Sequence, residues 1–461
     1  MTSGPSDMNL SRVSVIGAAR SGLAAARLLR YHGKDVLLSE FGDESRFEGA
    51  RAEMEAIGAA VEFGGHSEAV FEAGTIVVSP GVPSDAPVLV AASEHGIPIV
   101  SELELASMFC EAPIVAITGT NGKTTTTTLT GEIFRAAGLG TIVAGNIGFA
   151  FSDALLASRA KLDAAVLEVS SFQLDFTVRF HPRIAVITTI TPDHLARYKG
   201  DYGEYIASKQ RVYRNQYTDD ALIYSADNAD ADNAAQVAAA RKFPTSVTRP
   251  LTAGGWMEGR KLFLNTGEGK ELLTAIDDMR LRGKHNYMNT LQAALAARLF
   301  GIKMDVVSEA VRQFEGVEHR LEFVRRLDGV AYINDSKATN VDSVVIALQS
   351  FAQPVVLIAG GRDKDAPYDP LLPLLESIVK AVVLIGEAAD RMEDAFSGHA
   401  EIRRAASMQE AVTVSRDLAS PGDVVLLSPA CASFDMFDNF EQRGLVFKHL
   451  VLGLASRSNG A

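Results

Sequence analysis

Short apolar runs, rich in β-branched residues, recur along the chain, and each is followed by a glycine or polar turn and then by a segment with helical spacing. The runs cover residues 13–16, 35–38, 114–117, 164–167, 184–187, 355–359, 381–385 and 424–427. Runs of this length are typical of strands that are buried on both faces, as in parallel sheets. The alternation therefore predicts an α/β fold of βαβ units, with binding sites at the carboxyl ends of the strands.

The chain of 461 residues is long enough for about three domains of roughly 150 residues each. A first break is predicted near residue 110, ahead of the strand at 114–117, and a second near Gly316. We therefore predict a Rossmann-like domain over residues 1–110, a central P-loop domain over 111–316 and a second Rossmann-like domain over 317–461. Within the central domain, the polar stretch 254–270 predicts a hairpin.

Composition and charge restrict the partners and the compartment. The formal net charge of −13 argues against nucleic acid binding, which needs a basic face. Cys110 and Cys431 are too far apart in sequence to indicate a disulfide framework or a metal cluster. No signal pattern and no apolar run near the ~18 residues needed to cross a membrane is present. We expect a soluble, cytoplasmic protein without membrane insertion.

The strongest chemical signal is a glycine-rich turn between the strand at 114–117 and a helical segment. It consists of Gly119, Thr120, Asn121, Gly122, Lys123 and Thr124, followed by Thr125. Such a turn exposes backbone N–H groups at a helix N-terminus, where the helix dipole also favours an anion. Lys123 adds a charge for the outer phosphates, and the Thr124 hydroxyl suits magnesium. A standard phosphate loop would need glycine at Ile117, so this loop is a shortened variant; a plain glycine turn is the alternative.

Polar residues follow the neighbouring strands. Glu168 ends the strand at 164–167, where a carboxylate suits a magnesium ion beside a phosphate loop, although a capping role is common for a lone glutamate. His194 follows the strand at 184–187, and Lys209 lies in a helical segment; a packed histidine and a solvated lysine are the alternatives. Asn146 fits a plain turn equally well. Asn286 opens a helical segment and suits its N-terminal cap.

These motifs resemble those of the Mur ligases, and the shortened Gly-Thr-Asn-Gly-Lys-Thr loop also resembles that of folylpolyglutamate synthases. The resemblance implies that ATP phosphorylates a substrate carboxylate and that an amine then attacks the acyl phosphate. It implies catalytic roles for Lys123, Glu168, His194 and Lys209. It further implies that magnesium is bound by Thr124, Glu168, His194 and Lys209, with Lys209 as a carbamate.

The same resemblance assigns further contacts. Asn146 is expected to contact the muramoyl substrate and Asn286 the adenine. Arg320 and Asp335, in the motifs His-Arg and Asn-Asp-Ser-Lys, are expected to reach the ATP phosphates and ribose across a domain cleft. Closure of that cleft would exclude water from the acyl phosphate.

The string Leu-Ser-Pro-Ala-Cys-Ala-Ser-Phe-Asp at 427–435, continued by Glu-Gln-Arg-Gly at 441–444, resembles the branch of the family that adds D-glutamate to UDP-N-acetylmuramoyl-L-alanine. Glutamate brings two carboxylates and an amine, so its pocket needs cations and hydroxyls. The resemblance implies a D-glutamate pocket formed by Lys337, Thr339, Lys364, Ser433 and Phe440. A surface location is the alternative for each lysine.

The turn at 17–22 resembles a dinucleotide fingerprint, but Ala19 replaces its second glycine, which disfavours NAD. In the D-glutamate-adding branch this turn holds the UDP pyrophosphate, and Ala19 also departs from that branch's usual glycine. The resemblance implies UDP-substrate contacts from Arg20, Ser21, Ser39, Glu40 and Ser79.

Three other functions stay open at this point: another Mur ligase, a folylpolyglutamate synthase, and a regulatory P-loop ATPase without ligase activity. The UDP-binding-like first domain disfavours the folate enzyme, and the string at 427–435 disfavours the sister ligases. We expect a monomer that uses ATP, magnesium, UDP-N-acetylmuramoyl-L-alanine and D-glutamate, and the sequence does not distinguish D- from L-glutamate.

Overall fold

The computed structural model describes residues 8–158, 160–363 and 367–456. These residues fall into two compact units. The first contains the described residues up to Arg280 together with Lys284–Phe314, and the second contains Leu281–Gly283 and the described residues from Glu315 onward. Three sheets are formed, two in the first unit and one in the second, and the predicted α/β class is confirmed.

The first sheet has five parallel strands. They are β1 (Arg12–Ile16), β2 (Asp35–Glu40), β3 (Ala60–Phe63), β4 (Thr75–Val78) and β5 (Ile99–Ser101), and the helices are α1 (Arg20–Tyr31), α2 (Ala50–Ala56), α3 (Pro87–Glu94) and α4 (Glu102–Ser107). The strand order is β3-β2-β1-β4-β5. The order reverses between β1 and β4, and such a reversal marks the ligand-binding crevice of open α/β sheets.

The second sheet has nine strands in the order β14-β13-β12-β11-β10-β9-β6-β8-β7. The strands are β6 (Ile114–Thr118), β7 (Thr141–Gly145), β8 (Ala164–Glu168), β9 (Ile184–Ile187), β10 (Ala221–Ser225), β11 (Arg241–Ser246), β12 (Gly254–Glu258), β13 (Lys261–Asn265) and β14 (Glu271–Ala275). The helices are α5 (Lys123–Ala136), α6 (Phe151–Ala157), α7 (Ser171–Leu174), α8 (Tyr202–Gln210), α9 (Ala229–Ala235), α10 (Lys284–Phe300) and α11 (Met304–Gln313). Neighbours from β7 to β12 are parallel, and β12, β13 and β14 form an antiparallel edge.

The third sheet, in the second unit, has six strands in the order β15-β16-β20-β17-β18-β19. The strands are β15 (Glu322–Leu327), β16 (Val330–Asn334), β17 (Val355–Gly360), β18 (Val379–Ile385), β19 (Glu401–Arg404) and β20 (Val424–Leu427). The helices are α12 (Val341–Leu348), α13 (Leu372–Ser377), α14 (Ala389–Phe396), α15 (Met408–Leu418) and α16 (Phe440–Gly453). Only β15 runs antiparallel to its neighbour.

All eight predicted strands are confirmed, and the predicted hairpin is formed by β12 and β13. The central strands β6, β8, β9 and β20 are buried at every position, which explains their continuous apolar sequence. One local prediction is wrong. Helix α10 begins at Lys284, so Asn286 lies inside its first turn and is not its cap. Within the described ranges, no helix has the length and apolar character needed to span a membrane.

The two sheets of the first unit are joined by a shared core. Leu28 of α1 and Leu103 of α4 belong to the same buried cluster as Ala116 of β6 and Leu167 of β8. The Arg27 guanidinium adds a polar contact, because it donates to both carboxylate oxygens of Asp153 in α6. The first sheet is thus fixed against the second by its helices.

Glu104 of α4 makes the most extensive polar contact across this junction. Its buried carboxylate accepts hydrogen bonds from the backbone N–H groups of Val178, Arg179 and Phe180, at 3.0, 2.8 and 2.8 Å. These residues form the loop that leads into β9. A single side chain therefore satisfies three backbone donors that have no strand or helix partner.

We predict that Glu104→Ala destabilises the first unit by about 3 kcal/mol or more, because each buried donor left without a partner costs about 1–3 kcal/mol. The matched control is Glu94→Ala, which removes an exposed glutamate of α3. Urea denaturation followed by tryptophan fluorescence measures the difference, since Trp256 lies in the first unit. Equal denaturation midpoints for the two variants would contradict the role of Glu104.

Candidate active site

The glycine-rich turn joins β6 to α5, as predicted. Gly122 precedes the helix with a positive φ of 86°, and Lys123 is the first helical residue. The first backbone N–H groups of a helix have no partner within it, so they form an anion-binding end with the helix dipole. Thr124 and Thr125 are buried in this first turn.

Two glycines are required by close contacts. Gly119 has a φ of 142°, and a Cβ atom there would lie 2.0 Å from Thr188 Oγ1. A Cβ atom at Gly122 would lie 2.4 Å from Asn289 Oδ1, on α10. No other residue type fits either position without moving the loop or its neighbours.

Threonines that follow β9 hold the turn in place. Thr188 Oγ1 donates to the carbonyl of Asn121 at 2.5 Å, and the carbonyl of Thr189 accepts from the N–H of Thr120 at 2.7 Å. The Thr120 hydroxyl in turn donates to the carbonyl of Thr191 at 3.0 Å. The segment that leads to His194 is therefore tied directly to the phosphate-type loop.

Lys123 and Lys209 meet at the same carbonyl. Lys123 Nζ lies 2.9 Å from the Gly119 oxygen and 2.8 Å from the Thr120 oxygen, and Lys209 Nζ lies 2.8 Å from the Gly119 oxygen. Lys209 is 2% exposed, and its amine lies 4.4 Å from the ring centre of Tyr205. Burial, with the nearby charge of Lys123, lowers the pKa of the Lys209 ammonium well below its usual value. The unprotonated amine of Lys209 is thereby favoured.

Glu168 ends β8 beside the loop, where it is paired in register with Ile117 of β6. Its side chain is buried, and its Oε1 accepts from the amide of Asn146 at 2.8 Å. The backbone N–H of Asn146 also donates to the carbonyl of Glu168 at 2.8 Å. Two predicted site residues are thus in direct contact, with Asn146 on the exposed side.

His194 lies in a left-handed turn, with a φ of 53°, and half of its side chain is exposed. Its Nε2 lies 3.6 Å from the carboxylate of Asp193, and its ring packs edge-on against Phe172 at 5.2 Å. The histidine is therefore accessible, and it lies on the segment that the threonines attach to the loop.

The predicted UDP residues lie around the turn between β1 and α1, but they differ in what they contact. Glu40 Oε2 accepts from the N–H of Ala18 at 2.8 Å, and Ser79 Oγ donates to the carbonyl of Gly17 at 3.2 Å. Ser39 is buried, and its hydroxyl contacts Glu62 and His66 at 2.6 and 2.7 Å. The side chains of Glu40 and Ser79 thus hold the turn, whereas that of Ser39 contacts the neighbouring segment.

Arg20 is exposed and Ser21 is partly buried. Arg20 Nη1 donates to the carbonyl of Gly148 at 2.8 Å, in the loop that begins with Asn146. The end of the first sheet is thereby linked to the loop beside Glu168.

In the second unit, Asp335 is buried and accepts from Ser428 Oγ at 2.8 Å and from the N–H of Leu321 at 3.2 Å. Burial outweighs the opposing effect of Arg320 and raises the pKa of the Asp335 carboxyl to about 6. Lys337 Nζ lies 5.0 Å from the ring centre of Phe440, which begins α16.

The remaining predicted D-glutamate residues lie on nearby segments of the same unit. Thr339 follows β16 and is partly buried, and Ser433 follows β20 and is 2% exposed. Lys364 lies outside the described residues. Asn286, the predicted adenine contact, belongs to the first unit, where it is buried in α10 one turn before Asn289.

One group of three possible metal ligands is present among the described residues: Glu318, His319 and Glu322, in the second unit. Lys448 Nζ already lies 2.7 Å from Glu318 Oε1 and 2.5 Å from Glu322 Oε1. The lysine supplies the positive charge that these carboxylates need, so this group is an ion-pair network.

Several side chains that shape the site were missed in the sequence. Thr188, Tyr205 and Asn289 contact the loop or Lys209 from far along the chain, and Arg443 lies beneath the loops of the second unit. Only Arg443 belongs to a string that the sequence analysis singled out, Glu-Gln-Arg-Gly. The other three leave no local signal.

Two family models match this chain, and named relatives cover nearly its whole length. Residues 117–297 match the family model of the Mur ligase middle domain, and residues 319–431 match the model described as Mur ligase, glutamate ligase domain. A protein of Salinibacter ruber named UDP-N-acetylmuramoylalanine--D-glutamate ligase is 48% identical, over 97% of this chain and 99% of its own. A protein of the same name from Chloroherpeton thalassium is 44% identical, over 96% of this chain and 98% of its own.

Solved structures with the same fold include the UDP-N-acetylmuramate-alanine ligase of Thermotoga maritima, at a TM-score of 0.60 and 18% identity, covering 96% of this chain and 99% of that one. A crystal structure of MurF from Acinetobacter baumannii gives a TM-score of 0.61 at 16% identity, covering 94% of this chain and 93% of that one. At these identities the likeness concerns the fold alone.

We predict that Lys209→Met raises the thermal stability of the unmodified protein at pH 7 by several degrees, because burial of Lys209 on folding disfavours the protonated form that the unfolded chain carries at this pH. The pKa of Lys209 is lower in the folded than in the unfolded state, so between these values the unfolded chain binds more protons and stability rises with pH. The gain from Lys209→Met should therefore shrink as pH approaches about 10.4, the usual lysine value.

The measurement is the melting temperature between pH 7 and 10.5 in buffer purged of CO2, with Lys242→Met as the control that removes an exposed lysine. The quantity compared is the difference in melting temperature between Lys209→Met and Lys242→Met at each pH. A difference that stays constant over this pH range would contradict the lowered pKa of Lys209.

Proposed function

The chain belongs to the Mur ligase family, and we propose that it joins D-glutamate to UDP-N-acetylmuramoyl-L-alanine in an ATP-dependent step of peptidoglycan precursor synthesis. The observation that supports this most strongly is the nearly full-length similarity to D-glutamate ligases. The lysine-lined loop at the head of α5 supports the same reaction independently, because amide synthesis from a carboxylate needs an activating phosphoryl group.

The reaction has two chemical steps. The γ-phosphoryl group of ATP moves to the carboxylate of the alanyl residue, which gives an acyl phosphate and ADP. The amine of D-glutamate then attacks the acyl carbon, and phosphate leaves as the amide forms. Phosphoryl transfer depends mainly on positioning and on neutralising charge, which the backbone N–H groups of the loop and Lys123 provide.

The donors around the loop fit a magnesium ion, since hydroxyl and carboxylate oxygens are the ligands that this ion prefers. We assign Thr124, Glu168, His194 and the carbamate of Lys209 to it. When bound, it would neutralise phosphate charge. Glu168 is fixed by its contact with Asn146, so the carboxylate is oriented before any ligand arrives.

Carbamylation of Lys209 requires an unprotonated amine, which adds CO2 and releases a proton to give an anionic carbamate. The lowered pKa of Lys209 supports this modification. The modification would also place a negative charge near the Lys123 ammonium, because both lysine side chains reach the Gly119 carbonyl. We propose that it turns the buried lysine into a ligand.

The remaining assignments follow the family resemblance and stay proposals. Contacts to ATP are assigned to the loop residues Gly119–Thr125 and to Asn286, Arg320 and Asp335. Contacts to the UDP substrate are assigned to Arg20, Ser21, Ser39, Glu40, Ser79 and Asn146, and contacts to D-glutamate to Lys337, Thr339, Lys364, Ser433 and Phe440. Domain boundaries at 110 and 316, a monomeric state and a cytoplasmic location are proposed likewise.

We predict that phosphate release requires ATP, UDP-N-acetylmuramoyl-L-alanine and D-glutamate together. A coupled phosphate assay with a panel of acceptors measures this: D-glutamate, L-glutamate, L-alanine, a diamino acid and a dipeptide. Activity with another amino acid would identify a sister ligase. Phosphate release without any acceptor would indicate a regulatory ATPase, and activity with a folate in place of the UDP substrate would indicate a folylpolyglutamate synthase.

We also predict that kcat/KM falls by about 10- to 100-fold in CO2-depleted buffer, the range caused by loss of a metal-site contact. Added bicarbonate should restore it. Lys209→Met should be poorly active with or without bicarbonate, because methionine cannot form a carbamate, whereas the exposed-site control Lys242→Met should respond like the parent protein. Full activity of the parent protein in CO2-free buffer would contradict the carbamate.

A further inference from the structure

Arg443, in the first turn of α16, is the largest fully buried side chain of the described residues, with 0% exposure. Its guanidinium makes five hydrogen bonds. Nε donates to Ser336 Oγ at 3.0 Å, and Nη2 donates to the Ser336 carbonyl at 2.8 Å. Nη1 and Nη2 both donate to the Cys431 carbonyl at 3.2 Å, and Nη1 donates to the Ala432 carbonyl at 3.3 Å.

These acceptors lie in two loops, residues 335–340 after β16 and residues 428–435 after β20, which we call the pocket loops. The pocket loops contain Lys337, Thr339 and Ser433. The helix of Arg443 begins with Phe440, whose carbonyl accepts from Ser336 Oγ at 2.8 Å. One guanidinium therefore joins the three described segments to which D-glutamate binding is assigned.

A fourth segment packs against the same group. Gly361 follows β17 with a φ of 134°, and a Cβ atom there would lie 2.2 Å from the Ala432 carbonyl and 3.1 Å from Arg443 Nη1. The N–H of Arg362 donates to the Ala432 carbonyl at 2.9 Å. The loop after β17 is thus seated on the carbonyls that Arg443 organises.

The four oxygens that accept these five hydrogen bonds are all neutral, and no carboxylate among the described residues forms an ion pair with Arg443. Burial lowers the pKa of Arg443 to about 10, with Cys431 and Asp435 opposing the shift, so the guanidinium stays charged at neutral pH. A buried charge without a counter-ion is destabilising by itself. Such a charge attracts an anion strongly, because the surroundings screen it weakly.

We propose that Arg443 is a positioning and specificity residue for the amino-acid substrate. Its hydrogen bonds fix the pocket loops relative to α16, and its charge favours an acceptor with two carboxylates over one with a neutral side chain. This inference rests on the proposed function, because it concerns the pocket assigned to D-glutamate.

The test compares Arg443→Met, which removes the charge at similar length, with Arg443→Lys, which keeps the charge but cannot make all five hydrogen bonds. The matched control is Arg325→Met. Arg325 also donates to carbonyls of the α16 segment, those of Val451 and Leu452 at 3.2 and 2.7 Å, at the opposite end of the helix from Phe440.

For Arg443→Met, KM for D-glutamate should rise about tenfold or more, equivalent to about 1.4 kcal/mol. KM for ATP and for UDP-N-acetylmuramoyl-L-alanine should stay within about twofold of the parent values. The preference for D-glutamate over D-glutamine, as a ratio of kcat/KM, should fall in Arg443→Met and be largely retained in Arg443→Lys. Arg325→Met should leave all of these values near those of the parent protein.

A purely structural role would lower kcat/KM equally for D-glutamate and D-glutamine, or would raise the KM values of all three substrates together. Either result overturns the proposal. An unchanged ratio of kcat/KM for D-glutamate to kcat/KM for D-glutamine in Arg443→Met also overturns it. If that variant does not fold, Arg443→Lys and Ser336→Ala decide, and both should raise KM for D-glutamate selectively. A parent protein inactive with D-glutamate would refute the proposed function, whereas an active parent with an unaffected Arg443→Met refutes only this inference.

Discussion

The close approach of the Gly119 backbone to the end of β9 is the contact on which the first unit's site depends. With no side chain at Gly119, the loop can lie against Thr188, and the carbonyl of Gly119 can face two lysine amines. Two ammonium groups at one carbonyl would repel each other, and burial makes the protonated form of Lys209 unfavourable. The geometry of the loop therefore favours an unprotonated Lys209, and the chemical character of that amine follows from the position of a glycine.

In the second unit, the buried basic side chain that contacts loop carbonyls keeps its charge. The loops after β16 and β20 also need their carbonyls satisfied away from water, and a fully buried arginine supplies the donors. A guanidinium has five donors in a rigid plane and keeps its charge when buried, whereas a lysine amine loses its proton more readily. Arg443 therefore organises loops while remaining a cation, whereas burial of Lys209 favours its neutral amine.

The sequence predicted the central strands because burial on both faces makes them continuously apolar. Strand β11 (Arg241–Ser246) was not predicted, since it contains arginine, lysine and proline and its first two residues are exposed. The glycine loop was found because its residues are adjacent in sequence. The contacts that hold it, from Thr188 and Tyr205, join residues about 70 to 85 positions apart. No local pattern encodes such contacts, and the same reason hid Arg443 as the group beneath the pocket loops.

The first sheet shows how a departure from a motif is accommodated. Ala19 replaces a glycine, but its backbone is extended, with φ −80° and ψ 179°, a conformation that alanine adopts freely. The two neighbouring glycines cannot be replaced in this way. Gly17 has a φ of 99°, and a Cβ atom at Gly22 would lie 1.8 Å from the Gly17 carbonyl. Glu40 and Ser79 hold the turn between them by hydrogen bonds to Ala18 and Gly17. The turn thus keeps its shape with alanine at position 19, because the positions that need glycine for backbone reasons are the two that retain it.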